Sequence, residues 1–99
     1  MDIEYSNKQI EKVCTNAASA SKKHGKEMAE KIHQRIDEIT ASSSVEEMVQ
    51  YSIGRCHILK GNRKDQYAVD LVHPYRLVFE KKSDSIIQVV IIKEIVDYH

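Results

Sequence analysis

The stretch "QYAVDLVHPYRLVFE", residues 66–80, alternates apolar and polar side chains in two short runs. The large apolar residues of both runs fall on one face of an extended chain: Tyr67, Val69, Leu71, Tyr75, Leu77 and Phe79. Between the runs, Pro74 fixes the backbone and supplies no N–H to a strand ladder, so the chain is expected to turn there. The stretch therefore predicts two strands of a mostly antiparallel sheet, each buried on one face.

Further strands are predicted on both sides of this pair. The segment "RCHILKG", residues 55–61, predicts a strand that ends at Gly61 and is followed by a polar turn. The segment "IIQVVII", residues 86–92, is apolar on both faces, which is typical of a central strand. Near the start of the chain, Ile3 and Tyr5 alternate with polar neighbours and predict a short first strand.

The residues between the first strand and the rest of the sheet have a helical period. In "SNKQ", Ser6 is predicted to cap a first helix with Gln9 as its capping-box partner. Gly25 is predicted to end that helix. A second helix places its apolar residues on one stripe: Met28, Ile32, Ile36 and Ile39. Ser44 and Glu47 are placed to cap one further helical turn.

These patterns together predict a single α+β domain, residues 1–99, in the order β-α-α-β-β-β with a strand-like tail. Two N-terminal helices are expected to pack on one face of a small, mostly antiparallel sheet. The uncovered face is expected to carry His57, Arg76 and part of the C-terminal tail.

The charge of the chain is balanced overall but not locally. Fifteen basic residues match fifteen acidic ones, so the whole molecule has no bulk attraction for polyanions. Residues 55–82, however, contain seven basic side chains and three acidic ones. A local basic patch on a neutral body favours recognition of a few phosphates over a long tract of nucleic acid.

The sequence gives no indication of a cofactor site, a metal site or a membrane-spanning segment. There is no glycine-rich phosphate loop, and the five histidines have no metal-ligand spacing. Cys14 and Cys56 form no CxxC motif, so reduced packing residues are favoured over a disulfide or a metal site. The N-terminus lacks a signal-peptide pattern, and no apolar run has the length of a membrane span. A cytoplasmic protein without a cofactor or a metal is expected.

Several polar residues of the predicted sheet have both a structural and a functional interpretation. His57 is either a half-buried histidine bonded to a neighbour or an acid–base group. Arg76 lies in an apolar strand and needs a partner, either a carboxylate such as Asp70 or a bound anion. The loop cations Lys60, Arg63 and Lys64 are either a solvated turn or phosphate ligands.

The chain ends in Asp97, Tyr98 and His99, directly after an apolar strand-like run. In an extended chain Asp97 and His99 project from the same face, as an acid that orients an imidazole would. Two histidines with nearby cations fit metal-independent RNA cleavage, which needs a base for the ribose 2'-OH and an acid for the departing 5' oxygen. It also needs cations where charge develops on the phosphate.

Three motifs in order resemble the HigB-type killer proteins of the RelE/ParE toxin superfamily. They are "CHILKGNRKDQYAVDL", "PYRLVFE" and the closing "VDYH". The similarity covers residues 53–99, whereas the helices match in arrangement more than in residues. The resemblance implies an mRNA endonuclease that cuts translated messages in the A site of the 30S ribosomal subunit. It also implies a helix-turn-helix (HigA-type) antitoxin, through which alone the protein would contact operator DNA.

The resemblance also assigns roles to individual residues. His57 matches the first catalytic histidine, Lys60 a basic active-site residue, and Arg76 the phosphate-facing arginine. The last three residues match the functional ending: Asp97 would orient His99, and Tyr98 would stack on or hydrogen-bond the RNA. The order in which the two histidines act as base and acid stays open, and Arg63 and Lys64 are expected to meet RNA phosphates outside the site. Ile58 stands where the family form "HPLKG" has proline, a change that removes no reactive group.

Two other functions stay open at this level. ParE-type relatives resemble the same fold and poison DNA gyrase by binding it, without catalysis. An inactive RNA- or protein-binding module would also keep the basic patch and the fold. The two histidines favour the nuclease, because a toxin that only binds has no need of them.

Overall fold

The computed structural model describes residues 1–83 and 85–97. Its elements, in chain order, are β1 (Asp2–Tyr5), α1 (Lys8–Thr15), α2 (Ala17–His24), α3 (Lys26–Ala41), α4 (Val45–Gln50), a 3-10 turn (Ile53–Arg55), β2 (His57–Ile58), β3 (Gln66–Asp70), β4 (Tyr75–Ser83) and β5 (Val89–Asp97). The strands form one sheet in the order β1-β5-β4-β3-β2. Only the β1–β5 pair is parallel among these strands. The predicted α+β class with a mostly antiparallel sheet is confirmed.

The helical region is divided more finely than predicted. The expected cap at Ser6 is wrong: Asn7 is the N-cap of α1, and its Oδ1 accepts a hydrogen bond from Ile10 N at 2.9 Å. A single helix up to Gly25 is also wrong, because Asn16 ends α1 and its Oδ1 caps α2 through Ser19 N at 2.9 Å. Asparagine favours such caps because its short side chain competes with the helix for backbone N–H groups.

Two of the predicted helix boundaries are confirmed. Gly25 ends α2 in the left-handed region with φ 87°, a conformation that glycine adopts without a side-chain clash. Ser44 caps α4, and its Oγ accepts a hydrogen bond from Glu47 N at 3.0 Å.

The core lies between the helices and one face of the sheet, which is called the covered face below. Helices α1, α3 and α4 contribute mainly aliphatic residues: Ile10, Val13, Met28, Ile32, Ile39, Val45 and Met48. The sheet contributes alternate residues of its long strands: Tyr67, Val69, Leu71, Leu77, Phe79, Val90 and Ile92. The ring of Tyr67 stacks on Phe79 with the centroids 5.7 Å apart. Five of the six side chains predicted to face inward are thus in the core, whereas the prediction for Tyr75 is wrong, because it lies exposed at the start of β4.

Two predicted strands have different bounds. The strand expected over residues 55–61 is paired only at His57–Ile58, because Arg55 and the residues before it form the 3-10 turn. In "IIQVVII" the strand begins at Val89 and continues to Asp97, whereas Ile86 and Ile87 are exposed in the β4–β5 connection. As predicted, this strand has a neighbour on each side.

The helices of the described part of the chain are too short or too polar to cross a membrane.

Candidate functional site

The face of the sheet opposite the helices, called the open face below, holds a cleft of about 420 Å³. Six residues from the 3-10 turn and strands β2, β3 and β4 line it: Ser52, Arg55, Cys56, His57, Asp70 and Arg76. His57 pairs with Ala68, and Asp70 pairs with Arg76. Because paired residues of neighbouring strands point to the same face, these registers bring His57, Asp70 and Arg76 together.

Asp70 is the carboxylate that both arginines of the cleft contact. Its Oδ1 lies 3.2 Å from Arg76 Nε, and its Oδ2 lies 3.1 Å from Arg55 Nε. Asp70 Oδ1 is buried, and no described residue donates a well-directed hydrogen bond to it. The Arg76 contact is therefore mainly an ion pair, in which distance rather than alignment provides the attraction. Of the two partners predicted for Arg76, the carboxylate is present.

His57 presents one particular ring nitrogen to the cleft. Its Nδ1 lies 3.0 Å from the carbonyl oxygen of Arg55, which can only accept, so Nδ1 carries the proton of the neutral ring. The lone pair of the neutral imidazole is then on Nε2, which lies 3.5 Å from Arg76 Nη1. A contact of that length is weak. The arrangement leaves Nε2 able to accept a proton beside a fixed positive charge.

Arg35 of α3 contacts the backbone of the cleft from the helix side. The sequence analysis did not identify this residue. Its Nε donates to the backbone oxygen of Asp70 at 2.6 Å, and its Nη1 bonds Glu38 Oε1 at 2.8 Å. A Cβ on Gly54 would lie 2.9 Å from Arg35 Cδ, so only glycine allows the 3-10 turn to approach this closely.

Arg55 is the second residue that the sequence did not single out. It was counted within the basic segment, but its place beside Asp70 depends on a backbone φ of 56°, which no residue pattern encodes. Its position directly before "CH" was the only available signal.

Cys56 also lines the cleft, but its thiol is buried. Burial raises the pKa of its thiol to about 12, so the reactive thiolate is scarce at neutral pH. Within residues 1–83 and 85–97, no three His, Cys, Asp or Glu side chains are grouped as a metal site.

The loop cations lie outside the cleft. Lys60 and Lys64 are exposed and do not line it. Arg63 donates from Nε to Gln66 Oε1 at 3.0 Å, and its Nη2 lies 3.5 Å from Glu94 Oε2 of β5. The side chain of Arg63 thus crosses the open face from β3 towards β5 and is not beside His57.

The C-terminal residues are only partly described. Asp97 is exposed and pairs with Tyr75, whereas Arg76 pairs with Val96. By this register Asp97 alternates with Arg76 and has the same parity as the residues of the covered face. The predictions for Tyr98 and His99 lie outside the described residues. The structure therefore brings His57 and Arg76 together, but not Lys60, Arg63, Lys64 or Asp97 with them.

Comparison with known proteins supports the fold and no more. No protein-family model matches the chain, and no curated protein matches it. The solved structure of the YoeB/ParE toxin from Agrobacterium tumefaciens superimposes with a TM-score of 0.68 over 100% of both chains, at 13% sequence identity. The chain has the fold of a YoeB/ParE toxin. At this identity the likeness shows the fold alone, so membership of the RelE/ParE superfamily and the HigB-type assignment both stay predictions.

Proposed function

We propose that this chain is the toxin of a type II toxin–antitoxin system and acts as a ribosome-dependent mRNA endonuclease. The observation that carries the proposal is the pairing of His57 Nε2 with the Arg76 guanidinium, 3.5 Å apart in an open cleft. A proton acceptor next to a phosphate-binding cation supplies two of the groups that ribose-assisted RNA cleavage needs. The toxin fold and the resemblance to HigB-type proteins agree with it.

In this proposal His57 is the general base. Its Nε2 removes the proton of a ribose 2'-OH, and the 2' oxygen attacks the adjacent phosphorus. A new O2'–P bond forms while the P–O5' bond breaks, which gives a 2',3'-cyclic phosphate and a 5'-OH product. The hydrogen bond from Nδ1–H to the Arg55 carbonyl holds the ring in the tautomer that this step requires.

The departing 5' oxygen needs a proton, and we assign its donor to His99. Asp97 would orient that imidazole, and Tyr98 would stack on the RNA or hydrogen-bond it. Arg76 would stabilise the charge that develops on the phosphate oxygens. Lys60, three residues after His57, is proposed as a second phosphate ligand, and Arg63 and Lys64 as contacts to RNA outside the cleft.

The ribosome is proposed to supply the affinity that the toxin lacks. With fifteen basic and fifteen acidic residues, the chain has little non-specific attraction for RNA phosphates. Binding in the A site of the 30S subunit would place a message in the cleft. The ribosome would then position the RNA, and the toxin would not need a high affinity for RNA of its own. The remaining partner is a helix-turn-helix antitoxin of the HigA type, which would neutralise the toxin and carry any contact with operator DNA.

The test compares cleavage of one mRNA free in solution and on translating ribosomes, at physiological salt, with the 5' ends mapped. We expect slow or no cleavage of the free message and defined cuts on the ribosome. Rapid cleavage of protein-free mRNA with no gain on adding ribosomes would contradict the ribosome dependence. The His57→Ala protein is the catalytic control, because its cuts should disappear.

Inhibition of DNA gyrase is the second candidate, because the structural neighbour is described as a YoeB/ParE toxin and the fold does not separate the two activities. A supercoiling assay with the same protein preparation distinguishes them. If the protein inhibits gyrase and His57→Ala inhibits it equally, the toxin acts by binding and the nuclease proposal is wrong.

A further inference from the structure

We propose that Arg55 is a further phosphate-binding residue and that Asp70 is the positioning residue that holds Arg55 and Arg76 as one clamp. This inference rests on the proposed function, since the clamped group would be the phosphodiester that is cut. It adds one binding residue and one positioning residue to the site.

The first observation for the clamp is that the two carboxylate oxygens of Asp70 contact different arginines. Each oxygen contacts the Nε of a different arginine, at 3.2 Å for Arg76 and 3.1 Å for Arg55. A guanidinium has five N–H donors in a rigid plane, so contact through Nε leaves the terminal nitrogens of Arg55 for another acceptor. The Arg55 side chain is 80% exposed and lines the cleft, which places those donors where a ligand enters.

The charge of the clamp matches a phosphodiester. Among the described residues that line the cleft, two guanidinium groups face one carboxylate, so these three side chains together carry one net positive charge, and a phosphodiester carries one negative charge. Asp70 thus lowers the total attraction for phosphate while it fixes the direction of both cations. A residue with this role improves catalysis through orientation rather than through affinity.

The backbone conformation of Arg55 is a second observation in favour of a ligand-binding role, independent of the ion pairs. Its φ is 56°, a left-handed conformation that is unfavourable for residues other than glycine, asparagine and aspartate. The pair with Asp70 is largely exposed on the Arg55 side, and exposed ion pairs contribute little to stability. Stability therefore gives no reason for an arginine at this position, whereas a ligand does.

Arg35 links the two halves of the clamp. It donates to the backbone oxygen of Asp70 at 2.6 Å, and its side chain packs against Gly54, the residue before Arg55. The strand that carries Asp70 and the turn that carries Arg55 are thus fixed against one side chain of α3. This contact limits relative movement of the two arginines.

The first experiment measures binding without chemistry. The probe is a 2'-O-methyl RNA hexanucleotide, which keeps the phosphodiesters and lacks the attacking 2'-OH. Arg55→Asn removes the guanidinium and suits a left-handed φ, so we expect about tenfold weaker binding, the usual size for a lost charge-assisted hydrogen bond. The melting temperature should stay at or above that of the wild type. Lys82→Ala removes a positive charge that pairs with Glu4, outside the cleft, and should bind as the wild type does.

The second experiment tests Asp70 as a positioning residue. Asp70→Asn keeps the shape and removes the negative charge, so binding of the probe should be equal or tighter while kcat for ribosome-dependent cleavage falls. The Arg55 and Arg76 Nε–H signals in 15N spectra should also shift. Because the chain is expected to bind free RNA weakly, the titrations are followed by 15N chemical shifts at millimolar probe and low salt, where weak binding is still measured. Probe binding by Arg55→Asn that equals wild type under these conditions, or no shift of the wild-type cleft signals, would overturn the clamp. So would an Asp70→Asn protein that binds more weakly with kcat unchanged.

The two proposals fail in different ways. If the wild type does not cleave mRNA on ribosomes but Arg55→Asn still loses probe binding, the clamp stands as an anion site and the nuclease is wrong. If cleavage is present and Arg55→Asn retains both cleavage and binding, the nuclease stands and the clamp is wrong.

Discussion

The two faces of β3 have different roles, one in packing and one in the cleft. Tyr67 and Val69 point to the covered face and are buried in the core. Asp70 points to the open face, where both of its carboxylate oxygens contact arginines of the cleft. Since neighbouring residues of one strand alternate between the faces, a single five-residue strand supplies both packing and chemistry. Substitutions at adjacent positions should therefore separate stability from activity.

Each face also has an ion pair that involves β4, and the two pairs differ in what surrounds them. Lys81 is on the covered-face side and pairs with Glu46 of α4 at 2.8 Å, at the edge of the core. Arg76 is on the open face and pairs with Asp70 inside the cleft. The first pair joins a helix to the sheet, whereas the second orients a cation towards the site of the proposed reaction.

The largest effect on stability should come from the covered face. Phe79 is fully buried and is stacked on Tyr67, so Phe79→Ala should lower the free energy of unfolding by about 3–5 kcal/mol. Small domains have roughly 5–15 kcal/mol in total, so part of the protein would unfold at growth temperature. Urea denaturation measures the change. Val78→Ala, next in sequence but on the other face, is the control: Val78 is also fully buried, but the change removes only two methyl groups and should cost less than half as much. Equal losses would contradict the larger contribution expected from the covered face.

The largest effect on activity should come from the open face. His57→Ala should reduce ribosome-dependent cleavage by about 10²–10⁴-fold, the usual contribution of a general base. Its free energy of unfolding should change little, because the ring is only half-buried and bonds a local carbonyl. Full growth arrest by the His57→Ala protein would show that the base has been assigned to the wrong residue.

Arg76→Ala should reduce activity as strongly but should also destabilise the fold, by roughly 1–3 kcal/mol. The reason is that the buried Oδ1 of Asp70 loses its cation. The double variant Arg76→Ala with Asp70→Asn should recover stability without recovering activity. If the single variant is as stable as the wild type, the pair contributes no stability to the fold.

The sequence predicted the faces of the strands well and the helix boundaries and the site less completely. Alternation in residues 66–80 was enough to place the core side chains of β3 and to put Arg76 on the opposite face, because a period of two depends only on local geometry. The place of His57 on the same face as Arg76 follows from its pairing with Ala68. The helix boundaries were less readable. Ser6 and Asn7 are both good N-cap residues, and the choice depends on the sheet: Ser6 N bonds the Ile92 oxygen, which keeps Ser6 in line with β1.

The tail shows why a register cannot be derived from a pattern alone. The β4–β5 ladder shifts between Val78 and Phe79, which pair with Glu94 and Ile92, so Lys93 is an extra residue. One extra residue moves every later side chain to the other face. Asp97 therefore alternates with Arg76, a relation that depends on the bulge and not on the composition of the strand.

A smaller and more specific test concerns the two tail residues. His99→Ala should reduce cleavage by about 10²-fold if this histidine protonates the 5' oxygen. Asp97→Asn should reduce it less, because an orienting group acts through the imidazole. Both variants should melt as the wild type does, since Asp97 is exposed at the end of β5. Fully active His99→Ala protein would remove this residue from the mechanism. A larger loss for Asp97→Asn than for His99→Ala would give the acidic residue a direct role.

The smallest expected effect is at the ion pair on the covered side. Hydrogen bonds from Lys81 and then from Gln88 lower the pKa of Glu46 below the ordinary carboxyl value, because both favour the charged form. A lowered folded-state pKa means that the contribution to stability is present above the ordinary value of 4.5 and is lost as the pH falls through the folded-state value. The Glu46 side chain is 58% exposed, so screening by solvent reduces the contribution to about 0.5 kcal/mol.

Glu46→Gln should accordingly be slightly less stable than the wild type at pH 7, and the gap should close as the pH falls through the lowered folded-state pKa of Glu46. Urea denaturation at pH 7, 5 and 3 measures it, and cleavage should be unchanged because Glu46 is remote from the cleft-lining residues. A gap that persists at pH 3 would mean that the side chain acts through its shape rather than its charge. A loss of cleavage would mean that the covered side influences the chemistry of the open face, and the separation of the two faces would then be incomplete.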